Sequence, residues 1–355
     1  MSADPAASHE PLTPGRVIAL DYGSGSNAFR AFHDSMADVC ELSLTEGQEF
    51  RARSRTRRLG AAVLTDMQSC SLQYSRTTRH VARSGYDHFQ VHLNLAGESH
   101  VRSGRRTAVF RTGDVGILDT VLPTEYTVLA PRGSAARSLS LFVPRAMLAP
   151  LLASSGYEHC AVLRSDSPVG KLLGAKMNYL ATRSEAASAS ELDTAFRGLL
   201  SLLAGTIESL RLPHQLTIAS IKRYVDTHLD SAELSAESLC SHSGWSRATL
   251  YRLFEADGGL ASYIQERRLQ RALWELVFGR QGRRVLDIAL QNHFSSEATF
   301  NRAFRRTFGI PPGATRALAQ PSKVRRGSNA DPQMPDERNL TVHWIRQLVA
   351  PSPSG

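Results

Sequence analysis

The sequence predicts an α+β protein: an N-terminal antiparallel β-sandwich or barrel with following helices, then an all-α region holding two helix-turn-helix units. Three observations carry this. Short alternating strands bounded by glycine turns fill residues 16–150. The apolar period then lengthens from two to between three and four. Lastly, a six-residue pattern near residue 250 returns fifty residues later.

Residues 1–15, rich in Ala, Pro and Ser, read as a disordered leader. Within 16–150, His88-Phe89-Gln90-Val91-His92-Leu93-Asn94-Leu95 alternates polar and apolar, the mark of a half-buried strand. Turns at Gly97-Glu98, Gly104-Arg105 and Gly113-Asp114 separate further strands over 107–110 and 115–118, and 139–143 closes the series. From 144 the period is helical. Residues 169–183 place Leu172, Leu173, Met177 and Leu180 on one side. A polar run over 184–190 intervenes. Residues 191–211 then present Leu192, Phe196, Leu199, Leu203, Ile207 and Leu210 as a stripe, which serves either core packing or a dimer seam. Pro213 ends it.

The internal repeat is the most informative feature. Thr249-Leu250-Tyr251-Arg252-Leu253-Phe254 is matched by Thr299-Phe300-Asn301-Arg302-Ala303-Phe304. At 100° per residue, Leu250, Leu253 and Phe254 share one face and Arg252 lies opposite with Ala248; Phe300, Ala303 and Phe304 share the other helix's face, opposite Arg302 and Ala298. Helices this short are unstable alone, so each must dock its apolar face and turn the other outward. Ser235 caps a preceding helix, Gly244 supplies the turn, and Ser246 caps the repeat helix. In the second unit Val285, Ile288 and Ala289 form the first helix's apolar face, and Ser295 or Ser296 caps the second. Helix, tight turn, helix is the unit whose second helix enters the major groove. Residues 260–278, with no Pro, join the two units. One helix of that length spans roughly 28 Å, close to the ~34 Å between successive major-groove faces.

In order along the chain, Arg268-Leu-Gln-Arg-Ala-Leu, Asp287-Ile-Ala-Leu, Phe294-Ser-Ser, Phe304-Arg-Arg-Thr-Phe-Gly-Ile and Pro312 resemble the C-terminal motif of the AraC/XylS family of bacterial transcription regulators. Upstream, Leu93-Asn-Leu-Ala-Gly, Gly104-Arg, Gly113-Asp-Val and Leu118-Asp resemble that family's effector domain, a cupin-like β-barrel. Two positions depart from the family pattern. His293 stands where Gly is usual, which predicts an adjusted second turn and a weaker second half-site. Thr315 stands where an aromatic is usual, which predicts looser packing of the last helix. The domain organisation implied is a leader (1–15), a cupin-like effector-binding and dimerisation domain (16–212), a DNA-binding domain (215–318) with motifs at about 235–256 and 285–308, and a mostly disordered tail (319–355). One short helix is expected in the tail, near 342–349.

The outward faces supply the candidate DNA contacts: Arg247, Ala248, Thr249, Tyr251 and Arg252 in the first unit, and Ser296, Glu297, Ala298, Asn301, Arg302, Arg305 and Arg306 in the second. Arg252 and Arg302 fit guanine edges or phosphates, Arg305 and Arg306 phosphates, and Asn301 an adenine edge. Tyr251 either meets a thymine methyl or sugar or only packs. At Glu297, reading cytosine competes with a helix-dipole role. The net charge of +9 agrees with a polyanionic partner, and residues 215–320 hold fourteen basic against ten acidic residues.

Tyr86, His88 and His92 are the candidate effector contacts. His88 and His92 share a strand face, but their His-x-x-x-His spacing, with no His following Gly113-Asp114, is not the His-x-His triad of a metal cupin. The competing reading, a cupin-type metal enzyme fused to a DNA-binding domain, needs that triad or a paired acid and base, so no catalytic residue, metal or cofactor is expected. Cys40, Cys70, Cys160 and Cys240 show neither disulfide nor zinc spacing, and no segment approaches the ~18 apolar residues of a membrane helix. The expectation is a cytoplasmic, effector-responsive activator of a catabolic or metabolic promoter. Its partners would be promoter DNA, RNA polymerase, an aromatic or carboxylate metabolite and a second copy of itself.

Overall fold

The computed structural model describes residues 17–45, 47–153, 159–183, 187–209, 218–280, 282–320 and 337–348. The expected leader, 1–15, lies outside them. Twelve strands form two antiparallel sheets among the described residues. The larger has the order β1 (Val17–Ser24), β3 (Arg51–Leu59), β4 (Ala62–Ser69), β11 (Ala136–Pro144), β6 (His88–Ala96), β9 (Val115–Asp119), β12 (Ala161–Leu163). The smaller runs β2 (Glu41–Leu44), β5 (Leu72–Arg76), β10 (Thr124–Leu129), β7 (Glu98–Ser103), β8 (Arg106–Phe110). Of the two architectures the strand pattern allowed, the chain builds two facing sheets that hydrogen bonding does not close into one ring.

Both faces of the larger sheet are covered. On one, Val91 and Leu93 of β6 and Leu139 and Leu141 of β11 pack against Leu173, Met177 and Leu180 of α4 (Pro168–Arg183) and Leu192, Phe196, Leu199 and Leu203 of α5 (Ala189–Ser209). Each such side chain stabilises the fold by about 1.5–3 kcal/mol relative to exposure. From Leu192 through Leu203 the stripe of α5 is therefore domain core and not a dimer seam; the Ile207 side chain and Leu210 lie outside what the structure describes. Leu172 departs from the expectation too. It is 52% exposed, because the face that α4 buries is centred on Leu173, Met177 and Leu180, and Leu172 lies one residue's rotation outside it.

The opposite face of β6 corrects the sequence reading most. Of His88, Gln90, His92 and Asn94, the polar half of the alternation, only Gln90 keeps partial exposure. His92 and Asn94 are buried because the smaller sheet lies over this part of the face, and His88 is buried beside Leu348 near the C-terminal end of the described chain. Period-two polarity reports which side is polar but not whether that side is wet.

The helical region has two small cores. One gathers Ile221 and Val225 of α6 (Ile218–Thr227), Leu239 of α7 (Ala236–Ser243), Leu250 of α8 (Arg247–Leu253) and Phe254. The other gathers Ile288 and Ala289 of α10 (Val285–Gln291) with Phe300, Ala303 and Phe304 of α11 (Glu297–Phe308). A nineteen-residue helix, α9 (Leu260–Phe278), gives Leu260, Tyr263 and Ile264 to the first core and Leu269, Ala272, Leu273 and Leu276 to the second. It is the rod that the sequence predicts. Thr315 of α12 (Pro312–Ala319) is buried, with its hydroxyl donating to Pro311 O.

The last described element, α13 (Glu337–Arg346), changes the reading of the tail. Residues 337–346 form a helix packed on the β-domain, beginning five residues before the short helix the sequence suggested. Residues 321–336 and 349–355 lie outside the described set.

Candidate nucleic-acid interface and the inter-sheet cavity

The two repeat helices start alike. Ser246 Oγ accepts from Thr249 N at 3.2 Å, and Ser296 Oγ accepts from Thr299 N at 3.2 Å. Both serines have extended backbone, so each satisfies an otherwise orphaned amide of the first turn. The repeat thus extends from the apolar face to the cap, and Ser296, not Ser295, holds the second one. Leu250, Phe254, Phe300 and Phe304 have no exposed surface, while Arg247, Ala248, Tyr251, Arg252, Glu297, Ala298, Arg302, Arg305 and Arg306 are exposed and Thr249, Ser296 and Asn301 half-buried. Tyr251 exposes 52% of its surface. Arg247 reaches Glu237 of α7 at 3.5 Å, in water at both ends, so this pair constrains it weakly.

The turns differ in sequence and length, and each holds one residue with positive φ. Gly244, after α7, has φ +70°; His293, after α10, has φ +58°. A histidine in the left-handed region is strained by roughly 1–2 kcal/mol. Its Nε2 hydrogen-bonds Asp230 O at 2.8 Å, which anchors the ring to the turn following α6. The second turn is adjusted in length, five residues (292–296) joining α10 to α11 where three (244–246) join α7 to α8, while His293 itself takes the left-handed φ that glycine adopts freely.

A second site lies between the sheets. A cavity of about 230 Å³ is bounded by β1, β3, β4, β6 and β11 on one side and by β5 and β10 on the other. Its wall is mixed: Tyr74, Tyr126, Met67 and Phe142 are apolar or aromatic, and Arg76, Gln90, His92 and Asn94 are polar. His92 is held at both ring nitrogens, Nδ1 by Ser140 Oγ at 3.1 Å and Nε2 by Asn94 Oδ1 at 2.7 Å and Tyr126 Oη at 2.5 Å. Burial pushes its pKa down to about 4, so the ring is neutral at pH 7. Tyr86, the second predicted contact, lines the cavity with its hydroxyl donating to Val342 O at 3.1 Å. His88, the third, is not in the wall. Its Nε2 meets Leu348 O at 3.2 Å, beyond the end of α13.

Sequence reasoning missed Arg76. Its guanidinium donates to Val39 O (2.6 Å), Thr120 O (2.9 Å) and Ser84 Oγ (2.8 Å), all neutral acceptors, and borders the cavity. Burial lowers its pKa to about 10, which leaves it charged. It was one arginine among many in the sequence, and only the fold turns it inward.

The cavity and the reading helices are joined by α2 (Thr78–Ser84). Thr78 Oγ1 donates to Phe308 O of α11 at 2.7 Å, and Val81 enters the second helical core with Val121. Beside it Trp274 Nε1 of α9 donates to Asp87, which with Asp119 also receives Arg145. Asp257, after α8, takes Arg106 at 3.1 Å and Lys222 at 2.8 Å.

An AraC-binding-like domain model matches residues 30–210, half the chain, and a helix-turn-helix domain model matches 239–318. The chain belongs to the AraC family. It is a DNA-binding transcription regulator, with a β-rich effector-type domain ahead of its two helix-turn-helix units. Among AraC-family relatives, the transcriptional activator NphR of Rhodococcus sp is 28% identical over 316 residues, covering 85% of this chain and 91% of NphR. An uncharacterized HTH-type transcriptional regulator, YbfP of Bacillus subtilis, is 35% identical over 97 residues, 27% of this chain; that match spans about a third, 32%, of YbfP. The crystal structure of the AraC-like transcriptional activator CuxR aligns with a TM-score of 0.48 at 23% identity, covering 73% of this chain and 96% of that one.

Among the described residues no three His, Cys, Asp or Glu side chains are grouped to hold a metal ion, all four cysteines are unpaired, and no helix is long and apolar enough to cross a membrane.

Proposed function

We propose that this AraC-family chain is a cytoplasmic, effector-responsive activator that reads two adjacent major-groove segments of promoter DNA with α8 and α11. The observation that carries this reading is the pair of identically capped helices with outward arginines, each docked on one half of α9. In DNase footprinting on the DNA upstream of its own coding sequence, the full-length protein should protect two segments about one helical turn, ~10 bp, apart. A single short footprint, or none at any salt concentration, would refute the bipartite reading.

The cavity is the effector site in this proposal, and its ligand is a small ring-bearing carboxylate. Arg76 supports the carboxylate: a charged guanidinium with only neutral hydrogen-bond partners gains from an anion, and in a partly dry site that gain is large. Tyr74, Tyr126 and Phe142 support the ring. Benzoate at millimolar concentration should raise the melting temperature and isosteric neutral benzamide should not; equal shifts would remove the anion requirement. The site acts as a sensor without catalysis, because the one histidine in its wall is neutral and committed to protein partners at both nitrogens. A ligand on Arg76 acts next to Ser84, at one end of α2, while Thr78 at the other end holds α11. Occupancy therefore biases the reading head by population shift. RNA polymerase is the partner an activator requires. A homodimer, if formed through this domain, uses exposed Leu172 and Tyr179 of α4, since Leu192, Phe196, Leu199 and Leu203 of the α5 stripe are buried.

A further inference from the structure

We infer that the C-terminal helix α13 is a lid on the inter-sheet cavity, and that Thr341, Val342 and Ile345 form part of the ligand site itself. The inference rests on the cavity being the effector site, and it adds a wall drawn from beyond both matched domains, which end at residues 210 and 318. Those three side chains border the same cavity as Arg76 and His92. Around them Leu340, Trp344, Ile345 and Leu348 are buried against Ile18 of β1, Val63 of β4 and Tyr86, with Val39 and Phe142 alongside. A ligand leaving past this side must displace the helix.

The attachment is that of a removable element. It is apolar at the centre, polar at the rim, and contributes no strand to either sheet. Among the described residues, an exposed ion pair from Arg346 to Asp38 at 3.5 Å and four further hydrogen bonds pin its edge. Thr341 Oγ1 meets Thr56 Oγ1 at 3.0 Å, Tyr86 Oη donates to Val342 O, His88 meets Leu348 O, and Arg346 Nε donates to Ser84 O at 3.0 Å. The last is a latch with a second function. Ser84 takes Arg76 on its hydroxyl and Arg346 on its carbonyl, so the residue that touches the anion site also holds the lid. An element held by few contacts opens at a fraction of the cost of global unfolding.

Cys40 offers a readout that needs no ligand. It is buried, borders the cavity and follows Val39, which packs beside α13; Cys160 is equally buried and belongs to a separate cluster around Phe110. In the full-length protein, alkylation by N-ethylmaleimide is followed at each cysteine by peptide mass spectrometry. Trp344→Ala and, independently, Arg346→Ala should accelerate Cys40 by at least about tenfold and leave Cys160 unchanged. Thr56→Cys with Thr341→Cys, oxidised across hydroxyl positions 3.0 Å apart, should slow Cys40 below the wild-type rate, and reduction should restore it. Unchanged Cys40 rates in the variants and the tether overturn the lid. So does parallel acceleration of Cys160, which makes α13 an ordinary part of the core. Benzoate failing to raise the melting temperature would count against the ligand class alone, because the alkylation rates do not depend on it.

Discussion

Arg252→Ala and Arg302→Ala should each weaken operator binding by roughly 1–3 kcal/mol, about five- to 150-fold in Kd. The two arginines stand at matching places on α8 and α11, both exposed, six residues after equivalent serine caps. The glycine-to-histidine change at 293 predicts, from sequence alone, a smaller loss for the second. The structure removes that reason, since His293 holds the left-handed turn and hydrogen-bonds Asp230 O, so comparable losses are expected. The sites are on separate cores and the double variant should lose about the sum. Anisotropy titrations on the footprinted operator, on variants of each half-site, and at several salt concentrations decide the role. A base reader loses discrimination only within its own half-site. A phosphate contact loses affinity on every sequence and lowers the salt slope by about one. Negligible losses from both single variants and from the double would mean that neither helix faces DNA.

Acid should unfold the β-domain well before carboxylate titration is complete. His92 and His159 are both buried, and burial pushes each pKa from 6.5 down to about 4. His159 Nδ1 accepts from Asp119 N at 2.9 Å, so a proton there would set a donor against a donor. Between those pKa values the unfolded chain binds more protons than the folded one. Stability from these rings is therefore complete above about pH 6.5 and drains away as pH falls toward 4. At about 1.4 kcal/mol per pKa unit the loss is on the order of 3 kcal/mol for each ring. Urea unfolding at pH 7, 5.5 and 4.5 should show it, and His92→Gln and His159→Gln should each flatten the profile. A flat wild-type profile across this range would mean the rings are protonated in the folded state, with water reaching them.

How much of this was legible in the residues differs between the two halves. The reading head was legible nearly throughout: cap, apolar face, outward arginine and the rod over 260–278 are all local or helical-period features. A helix face is set by residues three and four apart, so a stretch of seven already shows which side is buried. The exceptions there were conformational. Nothing in the letters tells that His293 accepts a positive φ, because the hydrogen bond that compensates comes from Asp230, sixty-three residues away.

The β-domain was legible as strands but not as a site. Alternation along β6 placed His92 and Asn94 on one face correctly, and then assigned the wrong surroundings to that face, because which sheet covers it depends on pairings among strands far apart in sequence. Arg76 was invisible for the same reason, and His88 was set in the wall when a distant carbonyl, Leu348 O, claims it. The tail was legible in a different way, as one short helix whose seat and start the letters did not give. Its composition between 321 and 336 is that of a chain without a core, and the ten residues of α13 are too few to be helical alone in water. Only an apolar seat supplied by β1, β4 and Tyr86 makes that helix worth forming. What the sequence by itself determined, then, was every feature encoded within one or two turns of helix: the two heads, their caps and their spacing. What the tertiary structure decided was the inside of the cavity and the helix that covers it, because burial there is created by residues brought together from opposite ends of the chain.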